Sequence, residues 1–519
     1  MKYPIGIQDF RKLREDNYIY VDKTQHIFNI LGNGNYFFLS RPRRFGKSLL
    51  LSTINEWYGG SRDLFKGLWI EDKWDWEANM RPVIWLKFAS FQYKYNPLKD
   101  AIAAGLQAEA ERLEVALNLN NNKHPFAELL KKVYEKYGRK VSILIDEYDK
   151  PIIDYLDDIP QAEANRNTLK WLYSVLKDSD PYIELLFITG VSAFSKVSVF
   201  SDLNNLANIS LEPSAYTLLG ITQQELETVF AEQLKTTDKE KVKEWYNGYS
   251  WGGADRVYNP FSLLRFLNSG QFNNYWFETR TPTFLVKEMK KGGNYKVSNI
   301  NTSQLALTNF DISRLNPITV LFQTGYLTVK AYVPEDLLYT LDYPNKEVKH
   351  ALEQLLLDEY MYSPYSEALP RVVNLRNALQ KKDLPEVVVI INAAFASIPY
   401  EHWQKENEHF YHALIHLMFS LLGTYIRSEV HSAKGRCDAL VETADYIYAF
   451  EFKLDKPVSE AMQQIQEKGY LKPYADSPKE KIAVGMSFST EAKEVVDWAT
   501  EIFSSDRTET IGSTSPTQE

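Results

Sequence analysis

The chain has 519 residues, 44% hydrophobic and 24% charged, with a formal charge of −9, so several domains are expected, because a single core stops growing well below that length. The negative balance excludes a surface coated in basic charge but not a local basic patch, since salt confines such fields to about 8–10 Å. The single cysteine, Cys437, excludes an internal disulfide and a cysteine-rich zinc site. Aromatic residues reach 14%, mostly Tyr and Phe, and most are expected in packed cores. MKYPIGIQDFRKLRED has no apolar core of the signal-peptide kind. No run approaches about 18 uninterrupted apolar residues, so no membrane span is expected and the expected location is the cytoplasm.

NYFFLS (35–40) reads as a strand, followed by a basic loop and a helix beginning GKSLLLSTINEWYG. PVIWLKFASF (82–91) reads as a second strand. PLKDAIAAGLQAEAERLEVAL (97–117) and AELLKKVYEKYG read as amphipathic helices, the latter closed by Gly138. VSILIDEYD (141–149) and IELLFITGV (183–191) are continuous apolar runs, as suits a parallel sheet covered on both faces. Strands separated by helices predict βαβ units and a doubly wound α/β sheet. From 216 to 350 the pattern is helical and aromatic, which predicts a mainly helical lid or linker. From 351 to 503 helices precede the strand-like runs ADYIYAFEFK and EKIAVGMSF, and a closing helix is expected after them. The polar tail 504–519 lacks apolar periodicity, and disorder is expected there. The expected domains are therefore 1–215, 216–350 and 351–503, with no internal repeat.

SRPRRFGKSL presents the first chemistry. Against the phosphate-loop pattern G-x-x-x-x-G-K-[ST], Gly46, Lys47 and Ser48 match, and Arg41 stands at the first glycine. Such a loop aims backbone N–H groups at phosphate from a helix N-terminus. Its lysine reaches the β- and γ-phosphates and its serine hydroxyl serves Mg²⁺. Arg41, Arg43 and Arg44 add positive charge that could face phosphate or a neighbouring subunit. Taken alone, RPRRFGKS is equally a solvated basic turn starting a helix. ILIDEYDK then places Asp146 and Glu147 at a strand's carboxyl edge, where open α/β sheets bind ligands. Asp146 there can hold Mg²⁺ through water and Glu147 can polarise the attacking water. After the next strand, Thr189 or Ser192 could sense a γ-phosphate or simply form a turn.

GRCDALVETADYIYAFEFKLD (435–455) presents the second. Glu451 and Lys453 lie two apart in an alternating strand, hence on one face, and Asp438 flanks the strand before it. A hairpin would bring Asp438, Glu451 and Lys453 together. Two carboxylates and a lysine in a cleft can bind Mg²⁺ and support an in-line attack on a phosphodiester; the same pattern also suits a surface ion-pair hairpin. Upstream, NEHFYHALIHLMFSLLG (407–423) reads as a helix with Glu408 in its first turn, and SEAMQQIQEKGYLKPY downstream presents Gln464 and Lys468. His409, His412 and His416 share the upstream helix, where packing or helix surface is expected rather than a metal face. Cys437 is expected to be a small buried strand residue.

YVDKT (20–24), SRPRRFGKSLL, LIDEYDKPI, WYNGYSWG and VYNPFSLL together resemble the AAA-ATPase-like proteins of bacteria. That family joins an N-terminal P-loop ATPase domain to a C-terminal domain of the PD-(D/E)XK nuclease superfamily, with a restriction-endonuclease-like α/β fold. The resemblance implies ATP and Mg²⁺ as cofactors. It implies Arg41, Arg44, Phe45, Gly46, Lys47, Ser48 and Asp146 at the nucleotide, with Ser48 and Asp146 toward the metal and Glu147 catalytic. The order of helix, strand with Asp438, strand with Glu451-x-Lys453, and helix resembles the nuclease core. On that resemblance Asp438, Glu451 and Lys453 are the catalytic set, with Asp438 and Glu451 as metal ligands; Glu408 is an auxiliary residue and Gln464 lies near the site. The implied function is ATP hydrolysis coupled to metal-dependent cleavage of nucleic acid, DNA favoured, in a possible homo-oligomer. The alternative is a nucleotide-switched regulator that grips nucleic acid or protein without cutting.

Overall fold

The apolar runs of the first two hundred residues pair side by side. They are β1 (Tyr36–Ser40), β2 (Val83–Lys87), β3 (Val141–Asp146), β4 (Ile183–Gly190) and β5 (Ala207–Asn208). In this computed structural model they form one sheet in the order β2-β3-β4-β1-β5, with every pair parallel. β3 is buried at every position and β4 at all but one, as expected of a sheet covered on both faces. The connection after β1 crosses to the far edge, and the later strands return toward β1. That reversal opens a crevice at the carboxyl ends of the strands. β4 lies between the loop strand β1 and the acid strand β3, so the three chain segments that follow them converge at one edge.

The structure describes residues 2–119, 124–192, 199–200, 203–276, 283–291, 295–308, 316–362, 367–398, 408–423, 427–430, 437–503 and 508–510. They divide into two compact units, Met1–Thr281 with Val297–Val348, and Pro282–Lys296 with Lys349–Glu519. Within the first unit, the segment from 216 is less helical than its pattern predicts. It carries β6 (Ile221–Thr222), β7 (Asn247–Tyr249) and β8 (Val257–Tyr258) in one antiparallel sheet, and β9 (Ile300–Ser303), β10 (Thr328–Val333) and β11 (Leu338–Asp342) in another. Runs of two to six residues are too short to show a period of two, which is why they are hidden in the sequence. VYNPFSLL is a strand end joined to a helix: Asn259 accepts from the amides of Phe261 and Ser262 and caps Pro260–Ser269, with proline at the first helical position.

The second unit holds a six-stranded sheet. Its strands are β12 (Arg427–Val430), β13 (Ala439–Glu442), β14 (Tyr446–Leu454), β15 (Glu480–Ser489), β16 (Glu494–Phe503) and β17 (Thr508–Thr510), neighbours in that order. β14 and β15 are parallel and joined through the helix Val458–Lys468; the other pairs are antiparallel. The closing helix expected after β15 is instead the strand β16. EVVDWATEIF is rich in β-branched and aromatic residues, and in this position it pairs with the otherwise open edge of β15. Of the tail, Thr508–Thr510 pairs with β16; 504–507 and 511–519 lie outside the described residues.

Candidate functional site

The phosphate-type loop runs from the end of β1 into the helix Lys47–Tyr58. Gly46 holds φ +92°, a left-handed conformation that glycine adopts without strain, and a Cβ there would meet nothing within 4 Å. The first-turn amides of the helix have no acceptor within it, so they are available to an anion. Lys47 is buried, and its ammonium donates to the carbonyls of Arg41 (2.8 Å) and Pro42 (3.0 Å). Burial lowers its pKa, opposed by the negative charges of Glu147, Asp146 and Asp149. The lysine thus closes its own loop and faces the acidic end of β3.

On the acidic side, the Thr189 hydroxyl donates to Asp146 Oδ1 at 2.7 Å. Glu147 turns out of the strand at φ +52°. Asp149, 1% exposed, accepts from the amides of Val191 (2.9 Å) and Ser192 (2.6 Å). Burial pushes its carboxyl up to about 6, against the pull of the Ser192 amide and of Lys47. Ser48 is half-buried at the helix start. Lys47, the Ser48 hydroxyl, the first-turn amides and Asp146 therefore suit a nucleotide with its Mg²⁺.

In the second unit the β13–β14 hairpin does what the spacing requires. Ala439 pairs with Phe450, which sets Asp438 next to Glu451. Asp438 Oδ2 accepts from the amide of Phe452 at 2.8 Å. Lys453 donates to Glu451 Oε1 at 3.0 Å and to Gln464 Oε1 at 2.6 Å, and Gln464 donates to the Tyr470 hydroxyl at 3.1 Å. Glu451 is 2% exposed, and its Oε2 is buried with no hydrogen-bond partner. Burial first, then the Asp438 charge, push its carboxyl up to about 7. Burial raises Asp438 too, opposed by the Phe452 amide and by the charges of His412, Lys453 and Lys296. A buried carboxylate with a bare oxygen beside a second carboxylate suits a divalent cation. Among the described residues no group of three or more His, Cys, Asp or Glu forms a metal cluster; Asp438 and Glu451 are the two carboxylates brought together here. The Glu408 and His409 side chains lie outside the described residues.

The family model described as "Predicted AAA-ATPase" matches residues 4–200, and that of the PD-(D/E)XK nuclease superfamily matches residues 406–498. An "Uncharacterized protein in vnfD 5'region" of Azotobacter chroococcum mcd 1 is 37% identical over 513 residues, 96% of this chain and 99% of its own length. The chain belongs to the AAA-ATPase-like family with a carboxy-terminal PD-(D/E)XK nuclease-superfamily domain. No solved structure matches it. Among the described residues no helix is long and apolar enough to cross a membrane.

Within this AAA-ATPase-like chain, several singled-out residues turn out to be scaffold. The Arg41 guanidinium donates to the carbonyls of Ser40 (2.8 Å), Ser210 (2.8 Å) and Ala215 (2.7 Å) and stacks 3.8 Å from the Trp251 ring. Burial lowers its pKa to about 9. Its side chain ties the start of the loop to the segment 210–215 and to Trp251. Arg44 is exposed, at φ +67°, and lies 4.9 Å from the Phe261 ring. Phe45 is buried edge-on against Tyr249 (4.8 Å) and Trp251 (5.6 Å), and the Trp276 indole donates to the Arg43 carbonyl at 3.3 Å. Tyr249 and Trp251 of this aromatic wall, which the sequence does not announce, are what WYNGYSWG contributes. Asp22 accepts from the Thr24 amide and hydroxyl and from the Trp69 amide, and Lys23 pairs with Glu225 at 2.6 Å. His416 packs on the Tyr295 ring, and burial lowers its pKa to about 3, so it is a packing residue. Cys437 is buried in an apolar cluster with Leu440, Ile447 and Ile465.

Proposed function

We propose that this protein is an ATPase whose nucleotide cycle governs a metal-dependent nuclease acting on phosphodiester bonds, DNA favoured, in the cytoplasm. The observation that carries the nuclease half is the bare, buried Oε2 of Glu451 beside Asp438. An unpaired buried polar atom costs about 1–3 kcal/mol, and a cation bound between the two carboxylates would offset that cost. A divalent cation held by Asp438 and Glu451 supplies an activated water and a counter-charge for the phosphodiester. Lys453, fixed by Glu451 and Gln464, orients that water or neutralises the scissile phosphate. Gln464 and Tyr470 keep the lysine in place, and Glu408 is an auxiliary residue of the same site.

For the ATPase half, Lys47 turns from its loop carbonyls to the β- and γ-phosphates. Ser48 and Asp146 hold the Mg²⁺ that neutralises developing phosphate charge, and Glu147 orients the attacking water. Thr189, bonded to Asp146, reports the γ-phosphate; Ser192 lies just beyond it. Arg41, Arg44 and Phe45 shape the loop around the phosphates. The test is purified full chain with ATP, Mg²⁺ and supercoiled plasmid, assayed for phosphate release and strand scission. The expected result is that Lys47→Ala removes phosphate release and Lys453→Ala removes Mg²⁺-dependent nicking. Release unchanged by Lys47→Ala, or nicking unchanged by Lys453→Ala, contradicts the corresponding half. Retardation of the plasmid without scission at any Mg²⁺ or Mn²⁺ level contradicts cutting in favour of a switched binding protein.

A further inference from the structure

Two residues after β3, Tyr148 and Asp149, and four around the end of β4 are joined by bonds that the ATPase roles above leave unused. The Tyr148 amide donates to the Thr189 carbonyl at 3.1 Å. The Tyr148 hydroxyl donates to the Ser192 carbonyl at 3.0 Å. Asp149 Oδ2 receives both the Val191 and the Ser192 amide. Between these, the Gly190 carbonyl accepts the Arg41 amide at 3.1 Å, and the Arg41 carbonyl in turn accepts Lys47. Peptide 189–192 is therefore a bridge, with the acid motif on one side and the phosphate loop on the other. The fit excludes any side chain at its centre: a Cβ on Gly190 would stand 2.5 Å from the Tyr148 ring and 2.8 Å from Asp149 Oδ1.

A carboxylate this deeply buried is retained at an energetic cost unless its hydrogen bonds repay burial. Here both donors belong to consecutive amides of the bridge, and among the described residues no basic side chain forms an ion pair with Asp149, Lys47 acting on it through its charge alone. Its task is to fix backbone. We propose that Asp149 is a positioning residue for nucleotide hydrolysis: it clamps peptide 191–192, so that Thr189 stays on Asp146 and the Gly190 carbonyl stays on the phosphate loop. The inference rests on the ATPase reading above and extends it to a residue that touches neither nucleotide nor metal. Because the bridge meets Asp146 and the loop peptide, its loss slows turnover and leaves nucleotide affinity, set mainly by Lys47 and the first-turn amides, nearly intact.

The test pairs hydrogen exchange with kinetics on the full chain. In Asp149→Ala, amide exchange in the peptide covering 187–192 accelerates at least tenfold, kcat for phosphate release falls at least tenfold, and Kd for a non-hydrolysable ATP analogue stays within threefold. Asp149→Asn, which keeps one acceptor oxygen, restores part of the protection and part of kcat together. Unchanged exchange or unchanged kcat in Asp149→Ala overturns the proposal, as does a Kd loss as large as the kcat loss. Should Asp149→Ala not fold, Tyr148→Phe decides, since it removes only the hydroxyl to the Ser192 carbonyl. It should show the same split at about threefold, and no change in either readout overturns the proposal. A wild-type chain that binds the analogue but releases no phosphate contradicts the ATPase reading; the exchange arm still judges the clamp.

Discussion

The two sites bury opposite charges. In the first unit a lysine is buried without a direct carboxylate partner and is held by two carbonyls of its own loop. In the second a glutamate is buried with one oxygen paired to Lys453 and the other bare, next to a second carboxylate. Lys47 feels the acids at the end of β3 without bonding to one, and Glu451 keeps one oxygen bare although Lys453 holds the other; each group is open to the charge that its proposed ligand brings, phosphate in one and a divalent cation in the other. Their supports differ as well. The cationic loop is walled by aromatic rings from a distant part of the chain, whereas the anionic site is assembled within one hairpin and one helix close in sequence. A local site can be read from spacing; a walled one cannot.

Substitutions that remove one charge each should break this comparison cleanly, and the largest effects are at the charges themselves. Glu451→Gln should lower Mg²⁺-dependent nicking at least a thousandfold while leaving ATP affinity unchanged; a nicking rate within tenfold of wild type breaks the scheme. Lys47→Ala should weaken binding of an ATP analogue at least a hundredfold, measured by titration calorimetry, with the first unit still folded and its melting lowered only by the loss of the two loop bonds.

The anionic pocket also predicts a pH dependence. Glu451 has its folded pKa raised to about 7 from an ordinary 4.5, so the folded state holds the proton more tightly than the unfolded state. Its favourable contribution to stability is full below about pH 4.5 and is lost as pH rises through 7, on the order of 3 kcal/mol in all. Without metal, the melting temperature of the second unit should fall between pH 5 and pH 8, and Glu451→Gln should flatten that slope. Nicking at limiting Mg²⁺ should rise over the same interval, since the ionised carboxylate is the ligand.

Smaller effects sharpen the contrast in support. Arg41→Ala removes three bonds from a charged donor and its stacking on Trp251; chemical denaturation should show a loss of about 3 kcal/mol in the first unit. Trp251→Leu, which removes only ring contacts to Phe45 and Arg41, should lose about 1 kcal/mol and shift ATP affinity less than Arg41→Ala does. Equal losses from Arg41→Ala and Trp251→Leu would mean that the carbonyl bonds add nothing to the wall.

The parallel sheet was legible because its strands are long apolar runs, and the hairpin because Glu451 and Lys453 must share a face. The loop was legible from Gly46, Lys47 and Ser48, but the use of Arg41 was not. A charged residue at a glycine position suggests ligand contact, whereas its partners are carbonyls some 170 residues away in sequence. The short strands of the middle segment were hidden because periodicity needs length. The strand β16 was misread as a helix because its edge pairing with β15 is a tertiary fact. Asp149 drew no attention because only the folded bridge shows where its oxygen points.

The most direct measurement is Mn²⁺ binding to the full chain by electron paramagnetic resonance, with and without a non-hydrolysable ATP analogue. The account predicts a nucleotide-independent site lost in Glu451→Gln and kept in Lys47→Ala, and a second site that appears only with nucleotide and is lost in Lys47→Ala. Binding that needs nucleotide throughout, or a nucleotide-independent site that survives Glu451→Gln, would contradict the claim that one polypeptide carries two separately charged pockets.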